Sequence, residues 1–205
     1  MIEFEKISKE AYEAQLDIWK DKCKYIGKIA DYDEIKLPAR STTGSAGYDF
    51  FSPVNIDVSM SQRECLRAGY SPYIVEETAE IVVPTFIKCK MDENVYLALY
   101  PRSGLANKYS FRFKNTIPVI DSDYYNSDGD GVTKEGHIIL SVKINLSNEI
   151  KNTPLINIKA FPHFSLEIGD KMIQGIFHNY LTVSNEDKSK LKTRKGGFGS
   201  SDTKL

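Results

Sequence analysis

From Asp33 onward the apolar residues fall in short runs, many at every second position, with Gly, Pro, Asn and Asp between the runs. The clearest is Leu140, Val142, Ile144 and Leu146, alternating with Ser141, Lys143 and Asn145, which predicts a strand with one buried face. Ile81 to Cys89 is rich in β-branched residues, and Pro84 inside it predicts an edge or a bulge. Met91 to Asn94 reads as a turn, after which Val95, Leu97 and Leu99 alternate. Phe164, Leu166 and Ile168 precede the turn Gly169-Asp170, and Met172 to Phe177 follow it as a second strand. Before Asp33 the period changes. Ile2 and Phe4 alternate like a short strand, then Ala11, Tyr12, Leu16, Trp19 and Cys23 recur at helical spacing behind the N-cap candidate Ser8. Many short strands after one helix predict an all-β sandwich, jelly roll or barrel.

Composition narrows this picture. The 205 residues include 12 Tyr and 10 Phe, enough for one sizeable core, and show neither an internal repeat nor a separating linker. With 27 basic against 28 acidic side chains the net charge is −1, which argues against a dedicated duplex-DNA binder. No apolar run approaches the roughly 18 residues of a membrane helix, and no signal-peptide pattern is expected at the N-terminus. Cys23, Cys65 and Cys89 are odd in number and widely spaced, which suggests neither disulfides nor zinc and predicts a cytoplasmic protein. His137, His163 and His178 are too sparse for a metal triad and read as packing residues.

The last 18 residues break the charge balance. They hold six basic residues and one acid, Asp202, with Gly196, Gly197 and Gly199 around Phe198. Composition alone reads as a frayed terminus. The alternative is an arm that orders over an anion, glycine amides and cations meeting phosphates while Phe198 stacks.

Three further stretches carry chemistry. Gly44-Ser-Ala-Gly-Tyr-Asp49 is a small-residue bend that delivers one carboxylate. Pro101-Arg-Ser-Gly-Leu-Ala106 closes a strand with a guanidinium fork, a hydroxyl and an open amide, a set that suits phosphate oxygens. Asn115 to Tyr124 brings Asp121, Asp123 and a tyrosine onto one hairpin.

In order, these stretches resemble the five motifs of the trimeric dUTPase family: residues 46–49, 101–106, 120–124 resumed by 136–146, 169–174 (Gly-Asp-Lys-Met-Ile-Gln) and 196–200 (Gly-Gly-Phe-Gly-Ser). The resemblance implies a distorted jelly-roll β-barrel, here with an N-terminal extension over 1–32, a core over 33–187 and a glycine-rich flexible arm over 188–205. It implies a homotrimer with shared sites that hydrolyses dUTP to dUMP and pyrophosphate with Mg²⁺, and no nucleic-acid or membrane partner. Asp121 matches the carboxylate that activates water for attack on the α-phosphorus, and Tyr124 the ring against deoxyribose. Asn115 matches the amide that reads uracil, with Val119, Ile120 and Ile139 beside it. Arg102, Ser103, Gly104 and Gln174 match phosphate contacts, the first three serving a neighbouring subunit's nucleotide. Arg194, Gly197, Phe198, Gly199 and Ser200 match the closing arm, and Asp49 a carboxylate near Mg²⁺ through water.

The chain also departs from the pattern. Thr193 falls in the arm's arginine slot and Arg194 one place later, which weakens its assignment to the γ-phosphate. Pro118 and Phe86 stand where glycines are common, and Lys171 where arginine is usual. Residues 59–80 and 125–135 lengthen two loops. In the second loop, Asn126, Asp128, Asp130 and Gly131 match the first half of an EF-hand, yet His137 occupies the twelfth position, so a polar exposed loop is expected. Within the same fold a dCTP deaminase would need a catalytic glutamate on the base-reading hairpin, where this chain has Asp121 and Tyr124. A regulatory protein-binding role for the additions is the other alternative.

Overall fold

The computed structural model describes residues 1–23, 25–59, 78–127, 129, 131–146, 163–191 and 194. The strands are β1 Glu3–Lys6, β2 Ile26–Ile29, β3 Tyr48–Phe51, β4 Val54–Ser59, β5 Thr78–Pro84, β6 Ile87–Lys90, β7 Val95–Pro101, β8 Arg112–Phe113, β9 Val119–Ile120, β10 Ile139–Asn145, β11 His163–Leu166 and β12 Lys171–Asn179. Among the described residues two helices join them, α1 Lys9–Lys22 and α2 Ser103–Tyr109. The class is all-β, as the alternating pattern predicts.

Among the described residues the strands form four antiparallel sheets, ordered β3-β12-β7-β9, β11-β4-β2, β5-β10-β8 and β1-β6. Their apolar faces meet in one cluster that includes Phe50, Ile81, Leu97, Leu99, Ile120, Leu140, Phe164 and Ile173. Leu140, Val142 and Ile144 are buried while their neighbours are partly exposed, so β10 keeps the period-two register that its sequence shows. Among the described residues β5 pairs only with β10, and it ends at Pro84, the edge position the proline predicts. The strands around Gly169-Asp170 do not form a hairpin: β11 joins β4, whereas β12 joins β3 and β7.

The N-terminal extension is built into this core. Ser8 caps α1 by accepting a bond from the Ala11 N–H at 3.1 Å. Ala11, Tyr12 and Trp19 are buried from that helix and Cys23 from its C-cap, with Leu16 packed at the rim. Strand β1 pairs with β6, and the Ile7 N–H donates to the Phe86 carbonyl at 3.1 Å. Phe86 itself is fully buried with φ of 55°, a left-handed backbone that costs a bulky residue about 1–3 kcal/mol.

The 125–135 insertion is not the plain exposed loop that its polarity suggests, because it closes onto the extension. The Glu135 carboxylate accepts from the Ser8 N–H at 2.8 Å and the Ser8 hydroxyl at 2.6 Å, and Tyr125 donates to Glu5. Asn126, one of the residues in the calcium-like pattern, accepts instead from Lys88 at 3.0 Å. Asp128, Asp130 and most of the 59–80 span, including Cys65, lie outside the described residues. Cys23 and Cys89 are buried free thiols, and burial pushes Cys89 up to about 12, far from reactivity.

Candidate active site

The third motif is positioned by β7. Strand β9 pairs Val119 with Ala98 and Ile120 with Leu97, and the Leu99 N–H donates to the Pro118 carbonyl at 3.0 Å. Pro118 thus enters the ladder as an acceptor, so the N–H it lacks costs the hairpin nothing at that bond. Ile120 is buried and Val119 is 48% exposed, as alternation requires. Asn115 is exposed in the turn before β9, its carbonyl accepting from the Ile117 N–H at 2.7 Å.

Asp121 leaves β9 and opens a 3-10 turn, Ser122–Tyr124, closed by the Tyr124 N–H on the Asp121 carbonyl at 3.1 Å. The turn aims Asp121 and Asp123 outward. Arg194 spans them, donating from Nη2 to Asp121 Oδ2 at 2.6 Å and from Nε to Asp123 Oδ1 at 2.9 Å. Its guanidinium carbon lies 5.7 Å from the centre of the Tyr124 ring. Partial desolvation raises the Asp121 carboxyl above its ordinary value; the Arg194 cation opposes the rise and the Asp123 charge adds to it. The result is a carboxylate with half its side-chain surface open to solvent and raised basicity.

Tyr124 lies behind this carboxylate pair, 3% exposed, and its hydroxyl donates to the His137 carbonyl at 2.7 Å. Burial raises its phenol to about 12, so the hydroxyl keeps its proton and stays a donor. Ile139, on the returning strand, is half-buried.

The second motif closes the other end of β7. It is not a loop: after Arg102, residues Ser103–Tyr109 form α2, ended by Ser110 in the left-handed region with φ of 49°. Seven residues are too few for a helical apolar period to declare itself, and the burial of Tyr109 against Phe164 (ring centres 4.9 Å apart) anchors it. Ser103 and Gly104 are exposed at its start.

Asp49, only 6% exposed, organises the basic side chains here. Its Oδ2 meets Lys171 Nζ at 2.9 Å and accepts from the Ser41 hydroxyl at 2.6 Å, while its Oδ1 faces Arg102 Nε at 3.5 Å. Burial alone would raise this carboxyl, but the Ser41 and Lys171 hydrogen bonds and the two cations hold it below its usual value. Gln174 sits opposite Asp49 in the ladder and packs on Gly47, where a Cβ would meet the Gln174 amide oxygen at 2.8 Å. Beside this cluster opens a cleft of about 510 Å³, whose walls include Arg102, Lys108 and Lys171.

The two clusters stand at opposite ends of β7. Asp121 follows the pair Ile120–Leu97 near the start of β7, whereas Arg102 comes just after the strand's end at Pro101, five residues beyond Leu97. At about 3.3 Å per residue the backbones are roughly 20 Å apart. Among the arm residues, Arg194 is brought to Asp121, while Gly197, Phe198, Gly199 and Ser200 lie outside the described residues. Ser41 and His137 were not foreseen as parts of these clusters. Ser41 lies near the first motif without a pattern of its own, and His137 reads as a packing residue.

A family model described as dUTPase matches residues 33–128. The chain is 26% identical over 166 residues to the deoxyuridine 5′-triphosphate nucleotidohydrolase of Lactococcus lactis, covering 81% of this chain and 87% of that one. It is 28% identical over 176 residues to the Hahella chejuensis enzyme of the same name, covering 84% and 90%. Among solved structures it resembles the dUTPase of Streptococcus mutans, with a TM-score of 0.54, 24% identity and coverage of 88% and 97%. A dUTPase from phage phi11 of S. aureus, a mutant described with a structural Mg(II) ion, gives a TM-score of 0.51 at 16% identity and coverage of 91% and 95%.

Proposed function

We propose that this chain, which resembles dUTPases and matches their family model over residues 33–128, hydrolyses dUTP to dUMP and pyrophosphate, with Asp121 activating the water that attacks the α-phosphorus. The observation that carries this reading is the outward-facing Asp121, raised in basicity, on the same 3-10 turn as the buried Tyr124. An ionised carboxylate of raised basicity orients water and takes its proton as the new P–O bond forms. The Tyr124 ring, fixed at its backbone by Asp121 and at its hydroxyl by His137, supports a role as the wall that leaves no room for a 2′-hydroxyl. Asn115, exposed at the hairpin turn, offers the donor and acceptor that uracil requires, flanked by Val119, Ile120 and Ile139.

The separation along β7 supports a shared site. A triphosphate attached to a sugar at Tyr124 does not bridge roughly 20 Å of strand, so Arg102, Ser103, Gly104 and Gln174 serve the nucleotide of a neighbouring subunit in a homotrimer. Exposed apolar positions at Ile117, Leu181 and Val183 support such an assembly. The arm residues Gly197, Phe198, Gly199 and Ser200 close the site in this reading, with Arg194 shifting from the two carboxylates to phosphate.

The residues fit Mg²⁺ delivered with the triphosphate. Asp49 is held by two cations, but the 3.5 Å contact to Arg102 leaves its Oδ1 able to accept from a metal-bound water. Neutralising the triphosphate charge is the chemistry the ion supplies.

A pyrophosphate-release assay with Mg²⁺ across dUTP, dCTP, dTTP and UTP tests the proposal. Turnover of dUTP alone is expected; deamination of dCTP, or inert dUTP, would sink it. Asp121→Asn is expected to lower kcat by about 10²-fold or more while dUTP still binds.

A further inference from the structure

Behind Tyr124 runs a chain of buried polar contacts that ends on α1. The Tyr124 hydroxyl donates to the carbonyl of His137, a fully buried histidine. The His137 ring accepts at Nε2 from the backbone N–H groups of Phe86 at 2.8 Å and Thr85 at 3.2 Å. Two donors on Nε2 place the ring proton on Nδ1. From there it is donated to Gln15 Oε1 and to the Val132 carbonyl, both at 2.9 Å. Gln15 is itself 2% exposed, and its Oε1 also accepts from Trp19 Nε1 at 3.3 Å. Both donors converge on that oxygen, which fixes the orientation of the amide. Gln15 Nε2 is then left without a hydrogen-bond partner among the described residues.

Such a network is expensive for a helix whose other buried positions are apolar. A buried amide donor without a partner costs about 1–3 kcal/mol, and Phe86 adds the strain of its left-handed backbone. The Phe86 ring stacks on His137, centres 5.2 Å apart and 16° from parallel, and Trp19 meets the same imidazole edge-on. The return of the chain to Tyr124 is as tightly specified. Gly136 has φ of 72°, and a Cβ there would lie 2.3 Å from the Tyr124 carbonyl oxygen. An apolar residue at Gln15 would remove the orphaned amide but also the acceptor of His137 Nδ1 and Trp19 Nε1, and one at His137 would orphan the Thr85 and Phe86 N–H groups. Neither would hold the imidazole whose backbone carbonyl takes the Tyr124 hydroxyl.

We propose that Gln15 and His137 are positioning residues through which the N-terminal helix sets the Tyr124 ring against the sugar and thereby sharpens discrimination of dUTP from UTP. This rests on the role given to Tyr124 above. The helix, the insertion at Val132 and the strained corner at Thr85–Phe86 all converge on one imidazole, and the only functional side chain that its backbone holds is Tyr124 among the described residues.

The test compares kcat/KM for dUTP and UTP in Gln15→Met, His137→Gln, His137→Phe, Tyr124→Phe and Tyr124→Leu, each with its urea midpoint. Gln15→Met and Tyr124→Phe are expected to lower the dUTP/UTP ratio about tenfold, chiefly by admitting UTP, and in Gln15→Met kcat for dUTP is nearly kept. His137→Gln, whose amide oxygen can take over the acceptor role of Nε2, restores more of the ratio than His137→Phe. The Tyr124→Phe and Gln15→Met effects are less than additive in the double variant, because both loosen the same tie. A ratio unchanged in Gln15→Met and Tyr124→Phe, alongside a ratio lost in Tyr124→Leu, overturns the positioning role and leaves the sugar wall standing. A ratio unchanged in Tyr124→Leu overturns the sugar wall itself. Loss of stability with an unchanged ratio would make the network a packing feature only, which also overturns the proposal.

Discussion

Arg194 donates to Asp121 at 2.6 Å and to Asp123 at 2.9 Å, so the guanidinium of the arm lies across the carboxylate proposed as the base. The contact lowers the Asp121 carboxyl against the desolvation that raises it. Removing the cation therefore moves the ionisation of Asp121 upward. In Arg194→Gln the acid limb of the kcat/KM profile, which reports the free enzyme, is expected at higher pH than in the wild type. An acid limb that stays in place would mean that the two side chains do not meet in the free enzyme.

Asp49 holds Arg102 and Lys171 from a nearly buried position. Asp49→Asn keeps the volume and removes the charge, leaving two cations to repel each other. With both partners about a third exposed, solvent screens part of the effect, and a loss of about 1–2 kcal/mol in stability is expected. Nucleotide KM should rise about tenfold as the cations lose their fixed positions. A wild-type KM measured in this variant would remove Asp49 from the phosphate end of the site.

Ser8 and Glu135 join the extension to the insertion across 127 residues of sequence. The Glu135 carboxylate stands where a capping box would place a side chain of the helix's own first turn. Burial would raise it, but the Ser8 bonds and Lys88 hold it below its ordinary value. Ser8→Ala and Glu135→Gln are each expected to cost about 1 kcal/mol, and the double variant less than their sum. Strict additivity in urea unfolding would separate the two residues.

His137 gives the fold a pH dependence of definite sign. Complete burial lowers its imidazole from the ordinary 6.5 to about 3, against a smaller opposing contribution from its bond to Val132. The unfolded chain takes up a proton below about pH 6.5 that the folded imidazole refuses. Stability is thus full above pH 6.5 and falls towards pH 3, by up to about 1.4 kcal/mol per pH unit. Between about pH 5 and 6.5 most carboxylates remain ionised, which isolates the histidine. The slope in that window should flatten in His137→Gln; an unchanged slope would assign it to other groups.

Local features were legible where one short stretch carries its own instruction. Ser8 with Ala11, Tyr12 and Trp19 specifies α1, and β10 declares its buried face by alternation alone. The turn at Gly169-Asp170 was legible too, since Gly169 adopts φ of 91°, but the strands it joins pair elsewhere. Helix α2 escaped because its seven residues draw their order from Tyr109 packing on Phe164. Gln15 had a signal that went unused: it lies four residues from both Ala11 and Trp19, a polar side chain inside an apolar stripe.

By itself the sequence determined the all-β class, the single helix that opens it and the ordered motifs that bring Asp121, Tyr124, Asn115, Arg102 and Asp49 into one functional reading. These depend on periodicity and residue chemistry, which are properties of neighbours along the chain. Only the tertiary structure decided that Asp121 and Arg102 stand at opposite ends of β7, that Arg194 lies over Asp121, and that a helix residue reaches Tyr124 through His137. Those relations are contacts between residues up to more than a hundred positions apart. They are set by strand register and by the satisfaction of buried polar groups, and no local pattern encodes either.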